Sequence, residues 1–283
     1  MTPPTDTPAP TRSARARQLL ERLFASTTAS ERQLVDAVLT RFDADRLRFS
    51  DILECSLSAD ESGVDLARFS YAFPDLRSAR ASVERSVLAW TAALGTAPAA
   101  AARRVLRAAR SPLVAQLLIG HAHAPTPRTK LYLQFDDRAG PAALTLARAL
   151  IGCDRPGESD DLPLHLLGLD IGPDGLAGAK LYFVAPIRTY PGLSVPLHQP
   201  LWIHRLNHPD DPGFTRASEL DFACPPATWS ALATAPTLAS HSAARGAFST
   251  LSAAFLLRPR RLSLALGEAR KLNLYYVLDH PTP

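Results

Sequence analysis

A chain of 283 residues that is 46% hydrophobic and 20% charged can bury one substantial core and is too apolar to be fibrous or generally disordered. Its net charge of +4, from 31 basic against 27 acidic side chains, falls short of the dense basic clustering of a nucleic-acid binder but leaves anionic small ligands open. Cys55, Cys153 and Cys224 lie too far apart for a C-x-x-C metal site or a disulfide framework, and no apolar leader or run of about 18 apolar residues is present, so a cytoplasmic protein without a membrane span is expected.

The Pro/Thr-rich residues 1–11 read as a disordered lead, and residues 12–283 as one domain. Apolar spacing predicts amphipathic helices over Arg12 to Phe24 and Ser30 to Phe42. The segments FSDILECSLS, from Phe49, and VDLARFSYAF, from Val64, flank an Ala-Asp-Glu-Ser-Gly turn and predict a hairpin. Helical patterns over 75–94 and 99–110 lead to a second hairpin, Leu113 to Gly120 with Arg128 to Phe135, followed by a helix near 141–152. A third hairpin pairs His165 to Ile171 with Gly178 to Ala185 around Gly-Pro-Asp-Gly, a strong turn signal. The fourth is weaker. Leu201 to Asn207 reads as its second strand and Tyr190 to Val195 as part of its first, with the preceding helix missing or short and residues 208–227 unassigned. A long Ala/Ser/Leu helical region near 228–256 precedes the fifth hairpin, Arg261 to Gly267 with Arg270 to Leu278, turning at Gly-Glu-Ala. Five hairpins separated by helices predict an α+β fold of repeated α-β-β-α units, whose ten antiparallel strands close into a barrel with the helices outside. A barrel wider than about eight strands has room inside for ligands.

Only Lys130, Lys180 and Lys271 are lysines; the other 28 basic residues are arginines. Each lysine opens a strand with polar side chains at alternate positions: Lys130, Tyr132 and Gln134; Lys180 and Tyr182; Lys271, Asn273 and Tyr275. Around one barrel axis the three ammonium groups converge, backed by phenol hydroxyls, a combination suited to binding a diphosphate and stabilising it as a leaving group. Phosphate-binding G-x-x-x-x-G-K-[ST] and G-x-G-x-x-G loops are absent, and Asp136-Asp137 and Asp210-Asp211 stand alone. In the first hairpin Glu54 and Ser56 share one face of the first strand, and Arg68, Ser70 and Ala72 share one face of its partner, so Glu54 is a candidate proton acceptor and Arg68 a fourth cation. His121 and His123 alternate near a turn but lack a third metal ligand at suitable spacing.

The order and spacing of LECSLS, ARFSYAF, RTKLYLQF, GLDIGPDGLAGAKLYF, PLWIHRLN and KLNLYYVL resemble the aromatic prenyltransferases of the ABBA, or PT-barrel, class, and within it most nearly the cyanobactin-type peptide prenyltransferases. The resemblance covers roughly residues 45–280. It implies transfer of a prenyl group, commonly dimethylallyl, from its diphosphate to an electron-rich acceptor. Glu54 then matches the proton-accepting glutamate; Arg68, Lys130, Lys180 and Lys271 match diphosphate contacts; Tyr132, Tyr182 and Tyr275 match the shield around the allyl cation. Gln134, Trp202, His204 and Asn273 are further pocket candidates, and Trp202 and His204 depart from the Gln or Tyr often found in the family. The expected acceptor is a side chain of a ribosomal peptide natural product, the expected co-substrate dimethylallyl diphosphate, and the expected state a monomer. Mg²⁺ is compatible with a family that holds both metal-dependent and metal-independent members. The alternatives are a prenyltransferase of a free indole or phenol, and a non-catalytic barrel that binds an anionic or lipid-like ligand.

Overall fold

Strand β5 (Arg128–Phe135) shows in eight residues how the sequence builds the wall of the molecule: Thr129, Leu131, Leu133 and Phe135 are buried, whereas Lys130, Tyr132 and Gln134 are half-buried. The buried set packs beneath helices and the half-buried set faces a lumen. The same alternation governs β3 (Arg68–Phe73), whereas β1 (Leu53–Asp60), β4 (Val114–Ala122), β6 (Leu164–Gly172), β7 (Gly175–Val184) and β11 (Leu272–Leu278) are buried over most of their length. The structure is a computed structural model that describes residues 12–45, 53–61, 63–73, 76–77, 79–123, 128–153, 157–189, 196–206, 217–232, 242–266 and 271–278. The assigned lead over 1–11, the Tyr190 to Val195 strand and the Gly-Glu-Ala turn lie outside them.

Every strand pairs antiparallel with its neighbours, in the order β1-β3-β4-β5-β6-β7, then β8 (His198–Leu206), β9 (Glu219–Ala223), β10 (Leu257–Ala265) and β11, and β11 returns to β1 with Cys55 opposite Tyr276 and Ala59 opposite Leu272. The barrel is therefore closed at ten strands, with the short β2 (Gly63–Asp65) extending the path of β3 along β1. Helices α1 (Arg12–Leu23), α4 (Thr96–Ala108), α5 (Gly140–Ile151), α6 (Pro226–Leu232) and α7 (Ser242–Phe255) pack on the strands, with α2 (Ala29–Asp45) against α1 and α3 (Arg80–Ala92) against α4. One continuous core lies between helices and barrel wall; it includes the fully buried Phe24, Phe42, Tyr71, Phe73, Phe135, Phe183 and Phe222. Each such side chain contributes about 1.5–3 kcal/mol by leaving water, so the helical ring is the main support of the wall. Trp90 of α3 stacks on Phe73 at 5.6 Å, anchoring the helix pair to β3.

The expected helical region near 228–256 is helical in α6 and α7, and 233–241 lie outside the described residues. One feature differs from the sequence expectation. The fourth hairpin is displaced: β8 (His198–Leu206) is its first strand, and its second is β9 (Glu219–Ala223), within the stretch left unassigned. No helix intervenes between β7 and β8 among the described residues. The third hairpin closes as expected, with Gly172 opposite Gly175 across Pro173-Asp174 and Gly175 at φ 110°, a conformation that excludes most other residues. No described helix is long and apolar enough to cross a membrane.

His121 and His123 serve the fold. Glu31, 2% exposed, closes a capping box at the start of α2: its Oε2 accepts from Thr28 N and Thr28 Oγ1, each at 2.9 Å. Its Oε1 accepts from His121 Nε2 and His123 Nδ1, also 2.9 Å each, which ties α2 to the end of β4. Burial alone would raise the Glu31 pKa, but these hydrogen bonds hold it down at about 2, while burial lowers that of His121. A carboxyl depressed in the folded state stabilises above its unfolded pKa and loses that contribution as pH falls toward 2. Glu31→Ala is expected to destabilise the protein by about 2–4 kcal/mol at pH 7, through a lost cap and an unpaired buried imidazole. Thermal melts at pH 7 and pH 3 check this: the gap between the variant and wild type narrows at the lower pH.

Candidate active site

Opposed residues in an antiparallel pair share a face, so the register fixes what enters the lumen. Lys130 lies opposite Asp170, Tyr132 opposite Gly168, Lys180 opposite Arg205, Tyr182 opposite Ile203, and Tyr275 opposite both Ser56 and Arg261. These pairs stack in layers along the barrel axis. The layer nearest the hairpin turns carries Arg68, Lys130, Lys180, Arg205 and Lys271; the next carries Tyr132, Tyr182 and Tyr275.

Counter-ions hold the cation layer in place. Lys180 Nζ donates to Glu219 Oε1 at 2.8 Å, Arg205 Nη2 donates to the same oxygen at 2.6 Å, and Ser263 Oγ donates to Glu219 Oε2 at 2.9 Å. Lys130 Nζ lies 3.2 Å from Asp170 Oδ1, and Arg68 Nη1 donates to Asn273 Oδ1 at 2.9 Å. Burial alone would raise the carboxyl pKa values, yet the facing lysines hold both Asp170 and Glu219 well below the usual range. Burial lowers the pKa of all three lysines, and the cations repel one another: Arg68 and Lys180 act on Lys130, and Arg205, Arg68 and Lys180 act on Lys271. Among the described residues five cations face two carboxylates at this end of the lumen, a positive balance that an anion would relieve.

Above the cations, Tyr132 and Leu166 pack on Tyr182, Leu201 and Ile203 to form an apolar cluster inside the barrel, separate from the core under the helices. Burial raises the pKa values of all three tyrosines, so their hydroxyls stay neutral donors. Gly168 makes room for the tyrosine rings. A Cβ there would stand 2.9 Å from Tyr132 Cε1 and 3.5 Å from Tyr182 Cε2.

The tyrosines open onto a cavity of about 930 Å³, within the range of small-molecule sites. Glu54, Ser70, Gln116, Gln134, Asp221 and Arg261 line it among others. Ser70 Oγ donates to Glu54 Oε1 at 3.4 Å, and Arg260 Nε lies 3.6 Å from Glu54 Oε2. Burial raises the Glu54 pKa, against the opposing pull of Arg260 and Arg261. Asp221, paired with Arg261, has its pKa raised by burial as well.

Glu54, Tyr132, Tyr182, Tyr275 and Gln134 therefore line one cavity, and Arg68, Lys130, Lys180, Lys271 and Asn273 stand in the layer beneath. Trp202 and His204 do not join them, and this corrects their placement in the pocket. His204 is opposite Leu181 and Trp202 opposite Phe183, both on the outer face. The His204 ring meets Phe183 edge-on at 5.1 Å, with Nε2 2.8 Å from Ser159 Oγ, and Trp202 packs on the outer core. Their lumenal neighbours are Leu201, Ile203 and Arg205. Sequence reasoning missed Arg205, Glu219, Asp221, Arg260 and Arg261. The alternation of Glu219 and Asp221 with Leu220 and Phe222 was the available signal for β9, but it spans only five residues.

Lys130, with its pKa lowered to about 8, gives a pH prediction. An anion bound beside Lys130 would favour the ammonium, so affinity for a diphosphate ligand is expected to be highest near pH 7 and to fall as pH rises through 8. Calorimetric titration of a thiolo analogue of dimethylallyl diphosphate between pH 6.5 and 9.5 checks this, with Lys130→Met expected to bind more weakly and to flatten the profile.

No protein-family model matches the sequence, and no curated protein does. Solved structures do. The chain is similar to 5-dimethylallyltryptophan synthase from Streptomyces coelicolor, at 16% identity over 96% of this chain and 98% of that one, with a TM-score of 0.56. The apo form of the prenyltransferase PriB matches at 16% identity over 94% and 96% of the two chains, TM-score 0.59. A 6-dimethylallyltryptophan synthase from Micromonospora olivasterospora, in complex with DMASPP and Trp, matches at 14% identity over 94% and 97%, TM-score 0.58. At these identities the likeness establishes the fold, the closed ten-stranded ABBA barrel with its helical ring.

Proposed function

We propose that this chain is a prenyltransferase that moves a dimethylallyl or longer prenyl group from its diphosphate to an electron-rich aromatic ring. The observation that carries the reading is the order of layers in one closed lumen: clustered cations, then a tyrosine collar, then a half-buried carboxylate at a cavity large enough for an acceptor. That order matches the sequence of charges the reaction creates.

Arg68, Lys130, Lys180, Arg205 and Lys271 bind the diphosphate and stabilise the negative charge that builds on it as the allylic C–O bond breaks. Tyr132, Tyr182 and Tyr275 surround the allyl group, their ring faces stabilising the cation and keeping water away. An acceptor ring carbon supplies the electron pair for the new C–C bond. Glu54 then takes the ring proton, which restores aromaticity; its raised pKa suits a group that must gain a proton. Asn273 holds the Arg68 guanidinium, and Gln134 presents an amide at the cavity wall.

A cavity of about 930 Å³, larger than one aromatic ring requires, supports a peptide-borne acceptor. The free aromatic amino acid is a second reading, favoured by structural neighbours that are described as dimethylallyltryptophan synthases. Incubation with dimethylallyl diphosphate and either free tryptophan or a tryptophan-containing peptide, with and without Mg²⁺, tests the function. A product heavier by one prenyl unit is expected. Hydrolysis of the donor alone, with every electron-rich acceptor left unmodified, would sink the reading.

A further inference from the structure

Beside the mouth of the lumen lies a second cavity, of about 680 Å³, lined in part by Arg188, Arg258, Arg260 and His198. It adjoins the first: Arg188, Gln199, Ala223 and Arg260 line both. The chemistry of the two differs. The inner cavity carries Glu54, Asp137 and Asp221, whereas no Asp or Glu is among the described residues that line the outer one. An occupant of both would place a neutral ring inside and negative charge outside.

The backbone builds this vestibule deliberately. The pairing of β10 (Leu257–Ala265) with β11 shifts register between Pro259 and Arg261, so Arg260 and Arg261, which a regular strand would send to opposite faces, both line the inner cavity. Gln199 sits at φ 48°, a left-handed conformation uncommon for a residue with a side chain, and its carbonyl accepts from Arg261 Nη2 at 3.0 Å. Leu197 N donates to Arg188 O at 2.8 Å, which fixes the segment that carries Arg188 beside the one that carries His198. Guanidinium groups suit carboxylates because their paired N–H donors match both oxygens.

We infer that the vestibule binds an acidic side chain of a peptide acceptor, held at Arg188 and Arg258 while the reacting ring lies at Glu54. Arg258 lies opposite Val277, two residues along β11 from Tyr275 and so roughly 7 Å beyond the tyrosine layer. About two extended residues, at about 3.4 Å each, cover that distance. The inference deepens the prenyl-transfer reading and rests on it for the position of the ring.

The test uses three acetylated, amidated heptapeptides, Gly-Asp-Gly-Trp-Gly-Asp-Gly and its counterparts with Asn or Lys in place of both Asp residues, so that either chain direction presents the charge. Binding is measured by calorimetry with the thiolo donor analogue present, on wild type, Arg188→Glu and Arg258→Glu, and prenylated product is followed separately. The Asp peptide is expected to bind wild type about tenfold more tightly than the Asn peptide, and each variant to lose that preference and favour the Lys peptide. The donor analogue should bind both variants as it binds wild type, which also reports that they are folded. Equal binding of the three peptides by wild type overturns the inference, as does a charge preference that survives both substitutions. Weakened analogue binding in the folded variants also overturns it, by making the vestibule a donor site. A charge preference without product leaves the vestibule assigned and refutes prenyl transfer to these peptides; product without a preference does the reverse.

Discussion

Glu54→Gln is expected to lower kcat by a factor of about 10² to 10⁴, the usual share of a positioned general base, while the donor analogue binds as before. Gln keeps the shape of the side chain and the hydrogen bond from Ser70 Oγ, but has no oxygen able to take a proton. The Glu54 carboxyl is half-buried and its pKa is raised, so it favours the folded state at low pH and opposes folding once ionised. The variant should therefore melt no lower than wild type at pH 7. Loss of turnover in a protein of undiminished stability would be a chemical effect. The wild-type pH profile follows with the same sign: kcat falls as the pH drops through the raised Glu54 pKa, above the ordinary carboxylate range, and the residual activity of the variant lacks that limb. Turnover unchanged in Glu54→Gln would remove Glu54 from the reaction.

The double substitution Lys130→Ala with Lys180→Ala is expected to lower kcat/KM for the donor by about 10² to 10⁴, if each charge-assisted contact to the diphosphate is worth about 1.5–3 kcal/mol. Each lysine already has a carboxylate partner, so the energetics have two parts. Removing Lys180 leaves Glu219 with Arg205 and Ser263, a satisfied group. Removing Lys130 leaves Asp170 with the longer 4.0 Å approach of Arg128 and the more distant charge of Lys180, so part of its charge is left uncompensated beside the anion. Lys130 should thus matter more than Lys180 for the same lost contact. Adding Asp170→Asn to Lys130→Ala should recover some donor affinity, because the repulsion goes with it. Titration of the three variants measures this directly. An equal loss for Lys130→Ala and Lys180→Ala, with no recovery from Asp170→Asn, would show that these counter-ions do not set the donor's electrostatics.

Much of this site was legible because a strand has a period of two residues and the chain repeats it with rare residues. Three lysines in a sequence otherwise supplied with arginine, each followed at alternate positions by Tyr or Asn, fixed a common face, and the structure brings them to one end of one lumen. The fourth hairpin was misread for a directional reason. On a second strand the cation precedes the ring, as in Lys130 and Tyr132; on a first strand the chain runs the other way and the cation comes last, as in Leu201, Ile203 and Arg205. Reading LWIHRLN as a second strand made the polar-looking Trp202 and His204 its lumenal face. With β9 unassigned, Glu219 and Asp221 were lost too, and with them the reason that Lys180 and Arg261 are held rigidly. The register shift at Pro259 left no trace in composition, so Arg260 and Arg261 emerged only from the backbone path.

The most direct test of the account is a calorimetric titration of the wild-type protein with the thiolo analogue of dimethylallyl diphosphate, with and without Mg²⁺. The account predicts saturable binding that inorganic diphosphate displaces and that Lys130→Ala with Lys180→Ala abolishes. A folded wild-type protein that takes up no analogue under either condition would contradict it, and leave a closed barrel whose cation layer serves some other anion.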